Sequence, residues 1–253
     1  MSTGPEYVAA HALLEGKTVL VTAAAGTGIG SAVAQRCIEE GARVVISDKN
    51  ERRLGETAER LGVPGIACDV TDEASVQALF AGAVDVLGSI DVVVNNAGLG
   101  GSAELHEMTD EQWNVVLDVT LNGTFRCTRA ALNHMYANGR GVIVNNASVI
   151  GWRAQAEQAH YAAAKAGVMA LTRCAAIEAG RRGVRVNAVA PSIAMHANLA
   201  KVTTDELLAE LASREAFGRH AEPWEVANVI VFLASDYSGY MTGEVVSVSS
   251  QHP

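Results

Sequence analysis

Aromatic residues are scarce in this chain, at 5% of 253 residues, and cysteine and proline are scarcer still, with four and five. So few cysteines exclude a disulfide framework, and no two of them stand at the spacing of a redox or zinc motif. Cys37, Cys68, Cys127 and Cys174 each fall in an apolar pattern and are expected as reduced core residues, with no metal site. No apolar run approaches the roughly 18 residues of a membrane span, and no basic-then-apolar leader opens the chain. The expectation is a cytoplasmic protein without a membrane partner. Basic residues are also short, 19 against 28 acidic, for a net charge of −9. That removes the cationic face a nucleic acid needs, but not a small anion held by backbone amides.

What the chain does have is apolar content, 49%, with only 19% charged residues, so a large core can form and disorder is not expected. The length suits a one-domain α/β enzyme. Residues 1–14 read as an N-terminal extension and 15–253 as the domain. Short runs rich in Val and Ile occur at 17–22, 43–47, 65–68, 91–94, 141–145, 184–189 and 244–248. They alternate little with polar residues, as parallel strands buried on both faces do. Helical patterns fill the gaps, which predicts an α/β fold with right-handed crossovers and a doubly wound sheet. Helix starts are marked by Thr109 with Gln112, by Thr203 with Glu206, and by Pro223. "VVNNAG" at 93–98 and "IVNNAS" at 143–148 both end predicted strands. If those strands are neighbours, Gly98 and Ser148 face one crevice at the carboxyl ends, where ligands of such sheets bind.

The segment "VTAAAGTGIG" at 21–30 joins the first strand to the first helix. Glycines there let the backbone approach a pyrophosphate, and the helix start offers free N–H groups. Asp48 ends the next strand at an offset suited to binding both ribose hydroxyls and repelling a 2′-phosphate, which favours NAD over NADP. Lys49, Arg52 and Arg53 weigh on the other side, unless they form a solvated helix face. Asp69 either meets the adenine or caps the helix beginning near "TDEASV".

Tyr161 and Lys165 are four residues apart and share a helix face; Ser148 lies 13 residues before Tyr161 at a strand end. A hydroxyl, a phenol and an ammonium side by side suit hydride transfer from an alcohol, which leaves a proton to be taken up. The ammonium would pull the phenol down from its usual pKa of about 10.

With the glycine loop, "NNAG" at 95–98, Ser148, "YAAAK" at 161–165, "VNAVAP" at 186–191 and "TGE" at 242–244, the chain resembles the short-chain dehydrogenase/reductase family from Lys17 onward. The resemblance implies a Rossmann fold with a seven-stranded parallel sheet and helices on both faces, a nicotinamide dinucleotide, and a homotetramer built on paired long helices. It implies Ser148, Tyr161 and Lys165 as catalytic residues. The implied cofactor contacts are Thr22, Gly26, Gly28, Ile29, Gly30, Asp48, Asp69, Val70, Asn95, Asn96, Ala97, Gly98, Tyr161, Lys165 and Pro191.

Three departures stand out. Counted against T-G-x-x-x-G-x-G, the loop holds one extra residue and alanine for the early glycine; Gly26 is expected to make the left-handed turn that alanine makes only at a cost. The family's catalytic asparagine falls at Thr120, and Asn122, two residues on, faces elsewhere. His196 stands where a threonine often contacts the carboxamide, as a cofactor contact or a plain loop residue. Residues 192–218 read as a substrate lid, and Leu99, Trp152, Met195 and Leu199 as either packing or a hydrophobic pocket for a bulky apolar alcohol or ketone. Stretches such as "NNASVIGWRAQ", "EAFGRHAEPWEVA" and the terminal "QHP" are similar to actinobacterial enzymes of steroid-ring catabolism. Those oxidise a ring hydroxyl of a methylhexahydroindanone propanoyl-CoA. The competing readings are a 3-oxoacyl-thioester (acyl-carrier-protein) reductase and a non-catalytic nucleotide-sensing protein.

Overall fold

The computed structural model describes residues 5–194 and 205–250. Seven strands form one all-parallel sheet in the order β3-β2-β1-β4-β5-β6-β7. They are β1 (Thr18–Val21), β2 (Arg43–Asp48), β3 (Gly65–Ala67), β4 (Val92–Asn95), β5 (Gly141–Asn146), β6 (Val184–Pro191) and β7 (Val245–Val248). Each of the seven expected runs is a strand, shifted by one or two residues at its ends. β1 and β4 are buried along their whole length, which is why their sequences, TVLV and VVVN, show no polar alternation.

Among the described residues the α-helices are α1 (Ile29–Glu39), α2 (Glu51–Leu61), α3 (Glu73–Leu87), α4 (Asp110–Leu117), α5 (Gly123–Asn138), α6 (Ala159–Gly180), α7 (Asp205–Ser213) and α8 (Pro223–Ala234). One core joins the sheet to α3, α5 and α6 through Val76, Leu79, Cys127, Ala131 and Ala176. The other joins its opposite face to α1, α2 and α8 through Val33, Cys37, Leu54, Val226 and Ile230. The reversal of winding falls between β1 and β4, at the centre of the sheet.

Thr109 and Gln112 close the expected capping box at α4, and Pro223 sits in the first turn of α8. Thr203 lies outside the described residues. Cys37, Cys68 and Cys127 are buried, and burial pushes the Cys37 and Cys127 thiols up to about 12. Cys174 departs from the expectation: it is exposed, because the 22-residue α6 turns that position away from the sheet.

Residues 5–14 carry no helix or strand and lie along α1. Arg36 donates to the carbonyls of Val8 and Ala9 and pairs with Glu40 at 2.8 Å. Glu40, fully buried, accepts from the N–H groups of His11 and Leu13. Burial pushes this carboxyl up, but those two N–H groups and the guanidinium outweigh it and leave it below the usual carboxylate range.

Candidate active site

β4 and β5 are neighbours, with Asn95 opposite Asn145, so the two NNA sequences end side by side. Their asparagines form two rows. In the inner row Asn95 donates to Thr128 on α5 and to Asn145, and Asn145 donates to Thr172 on α6. In the outer row Asn146 donates to Asn96, and Asn96 donates to the carbonyls of Thr22 and Ala23 in the β1 loop. Thr22 completes the joint by accepting from the N–H groups of Asn96 and Ala97. The echo in the sequence signalled the strand tips; the row that ties them to the loop had no sequence signal.

Ser148 follows β5 and caps the short turn Val149–Gly151, accepting from the Ile150 N–H at 3.2 Å. That leaves its hydroxyl able to bond the Tyr161 phenol. Tyr161 and Lys165 stand on the first two turns of α6, with the Lys165 Nζ 5.6 Å from the centre of the Tyr161 ring. Lys165 is 3% exposed and donates to the Asn146 carbonyl. Burial pulls its ammonium down to about 8. Burial raises the Tyr161 phenol, and the Ser148 hydrogen bond offsets part of the rise. Gly98 closes the group: a Cβ there would stand 3.3 Å from Lys165 Nζ.

The β1 loop takes two left-handed residues, Ala23 at φ 50° and Gly26 at φ 92°. Gly26 makes the expected turn; Ala23 corrects the expectation that alanine would avoid one, and the Asn96 amide on its carbonyl helps hold it there. Gly30 cannot carry a side chain, since a Cβ would fall 2.5 Å from the Ala23 carbonyl oxygen and from the Asn96 amide. α1 begins at Ile29, behind Gly28, with no side chain capping its N–H groups and no acid in its first turn. Asp48, at the end of β2, accepts from the Ala25 N–H at 3.2 Å and the Asn50 N–H at 2.9 Å.

Asp69 does not cap α3; Asp72 does. Asp69 accepts from the N–H and hydroxyl of Thr71 and pairs with Lys49 at 2.5 Å. Burial raises its carboxyl, but Lys49 and Thr71 hold it down at about 2. Val70 packs on Gly123, where a Cβ would meet it at 2.7 Å. Pro191 ends β6.

Thr120 is fully buried in a π-turn, Asp118–Asn122, that interrupts the helical run between α4 and α5. Its hydroxyl accepts from the Leu99 N–H at 3.0 Å and donates to the Leu99 carbonyl at 3.2 Å. Asn122 instead donates to Asp118, away from the site. Leu99 and Trp152 are 39% and 43% exposed, so neither fills the core; Leu99 follows Gly98, beside Lys165 at the crevice. Gln158 donates to the Gly101 carbonyl, and Glu157, at φ 63°, accepts from the Ala103 N–H. Met195, His196 and Leu199, with much of the lid, lie outside the described residues.

A family model described as enoyl-(acyl carrier protein) reductase matches residues 23–250. A protein of Mycobacterium tuberculosis named (5R,7aS)-5-hydroxy-7a-methyl-1-oxo-2,3,5,6,7,7a-hexahydro-1H-indene-carboxyl-CoA reductase is 62% identical, across 100% of this chain and 99% of its own. The BbsD subunit of a (2S)-[(R)-hydroxy(phenyl)methyl]succinyl-CoA dehydrogenase from Thauera aromatica is 38% identical, across 93% of this chain and 96% of its own. A crystal structure of a short chain dehydrogenase from Mycobacterium smegmatis superposes with a TM-score of 0.89 at 57% identity, covering 99% of both chains.

Proposed function

The chain belongs to the short-chain dehydrogenase/reductase family, and we propose that it interconverts a ring secondary alcohol and a ketone on a steroid-derived alicyclic CoA thioester, using NAD. The convergence of Ser148, Tyr161 and Lys165 beside Gly98 carries the reaction; the full-length relative from M. tuberculosis supports the substrate class.

The residues fit a nicotinamide dinucleotide. The uncapped start of α1 presents N–H groups to a pyrophosphate. Thr22, Gly26, Gly28, Ile29 and Gly30 would border it, with Asp48 and Val70 toward the adenosine. Asn95, Asn96, Ala97, Gly98 and Pro191 would border the nicotinamide side. Asp69, the partner of Lys49, would border the adenine. NAD over NADP is supported by Asp48 and by the neutralisation of Lys49 by Asp69 and of Arg52 by Glu56. Of Lys49, Arg52 and Arg53, Arg53 alone has no carboxylate partner among the described residues.

Bound NAD would accept or supply the hydride. Ser148 holds the substrate oxygen toward Tyr161, and Tyr161 gives that oxygen a proton or takes one from it. Raised by burial, the phenol is protonated at neutral pH, as ketone reduction requires. In the oxidation direction the Lys165 ammonium steadies the phenolate. Leu99 and Trp152 flank the ring system on the open side. The reading treats 15–253 as one domain with 192–218 as its lid. It also treats the chain as a homotetramer, for which Val115, Phe125 and Ile177 leave apolar surface exposed on α4, α5 and α6.

A second reading, reduction of 3-oxoacyl-carrier thioesters, draws on the description of the matched family model. Steady-state formation of NADH from a hydroxylated methylhexahydroindanone CoA thioester tests the first. Tyr161→Phe is expected to cut kcat by roughly 10²- to 10⁴-fold. No turnover of that substrate class by the wild type, with either cofactor, would remove the proposal.

A further inference from the structure

The extra residue in the β1 loop is not left to itself. The Gly26 N–H donates to the Thr57 hydroxyl at 3.0 Å, and Arg60 donates to the Gly26 carbonyl at 3.3 Å and to the Ser31 hydroxyl at 2.7 Å. Thr57 and Arg60 both belong to α2, the helix that follows Asp48. Thr57 is buried, and Arg60 has no carboxylate partner among the described residues. So α2 clasps the loop at its second left-handed residue, and the loop in turn sets its Ala25 N–H on Asp48.

We propose that Thr57 and Arg60 are positioning residues for dinucleotide selectivity: by pinning the enlarged loop to α2 they immobilise the Asp48 carboxylate beside the adenosine ribose. A carboxylate has about four acceptor directions. Ala25 and Asn50 take one on each oxygen, which leaves one on each for the two ribose hydroxyls. Held from both sides, Asp48 cannot swing away, so a 2′-phosphate would meet a fixed negative charge. With the clasp open, the loop can retreat, Asp48 can rotate, and the guanidinium of Arg60 or Arg53 is free to meet a phosphate. Selectivity thus depends on α2 positions nine and twelve residues beyond the acid itself.

This rests on the NAD reading above, and binding experiments separate the two. Dissociation constants for NADH and NADPH are measured by fluorescence titration, without substrate, for the wild type, Thr57→Val, Thr57→Ser and Arg60→Ala. The wild type is expected to prefer NADH. Thr57→Val and Arg60→Ala are expected to lower the NADPH/NADH ratio of dissociation constants by roughly fivefold or more, about 1 kcal/mol of discrimination. Thr57→Ser, which keeps the acceptor, is expected to restore the wild-type ratio. A plain packing role would weaken both cofactors in proportion and leave the ratio unchanged, which overturns the proposal; Arg60→Ala, a surface change, decides it if Thr57→Val does not fold. A wild type that prefers NADPH would sink the NAD reading instead.

Discussion

Replacing Lys165 by methionine should change how the stability of the protein responds to pH, and in a calculable direction. Burial lowers the Lys165 ammonium from its ordinary 10.5 to about 8. At neutral pH the folded protein therefore carries a buried charge at a cost of about 3 kcal/mol, at ~1.4 kcal/mol per pKa unit. Between about 8 and 10.5 the unfolded chain holds a proton here that the folded chain has released, so stability rises with pH through that window. Integrated from about pH 7 to about pH 9.5, the relief is about 2 kcal/mol. The methionine variant has no such group. Urea unfolding of both proteins, free of cofactor, across that range gives the measurement. The wild type should gain about 2 kcal/mol relative to the variant as pH rises. Cys37 and Cys127, raised to about 12, act in the opposite sense, since their stability contribution is lost as pH climbs above about 9. They are common to both proteins and cancel in the difference. A gap that stays flat, or that closes in the other direction, would refute the desolvation of Lys165.

Thr120→Val should cost about 1 kcal/mol, because the Leu99 N–H loses its acceptor and the Leu99 carbonyl its donor. It should also raise KM for the bulky substrate more than it lowers kcat, since Leu99 borders the crevice; denaturant titration and steady-state kinetics read the two effects. Glu40→Gln should cost about 1–3 kcal/mol, because the buried Arg36 loses one of its two carboxylate partners and keeps only Glu39, with kcat/KM unchanged below the unfolding transition.

The sheet was legible because parallel strands buried on both faces must be continuously apolar, and Val19 to Val21 or Val92 to Val94 can be nothing else in a chain this short of aromatics. The placing of Ser148, Tyr161 and Lys165 was legible because a strand end and an i, i+4 pair fix direction locally. Cys174 misled, since on a helix as long and as alanine-rich as α6 an apolar pattern does not say which side is outer. The α2 clasp was illegible for a different reason. Thr57 and Arg60 lie in a polar helix, and their partners are about 30 residues away in a loop whose path depends on one added residue. Glu157 likewise gave no sign of its left-handed backbone, which follows from docking the 99–103 loop.

The outer asparagine row has a consequence for anyone who would re-engineer this protein. Asn146 offers its carbonyl to Lys165 and its amide to Asn96, and Asn96 passes its own amide to Ala23. The Lys165 end of the crevice and the β1 loop are thus joined through one backbone carbonyl and two hydrogen-bonded amides, like two shelves on one bracket. A library that varies the loop to accept another nucleotide will therefore perturb the lysine as well, unless Asn96 and Asn146 are held fixed and only residues beyond Ala23 are allowed to change.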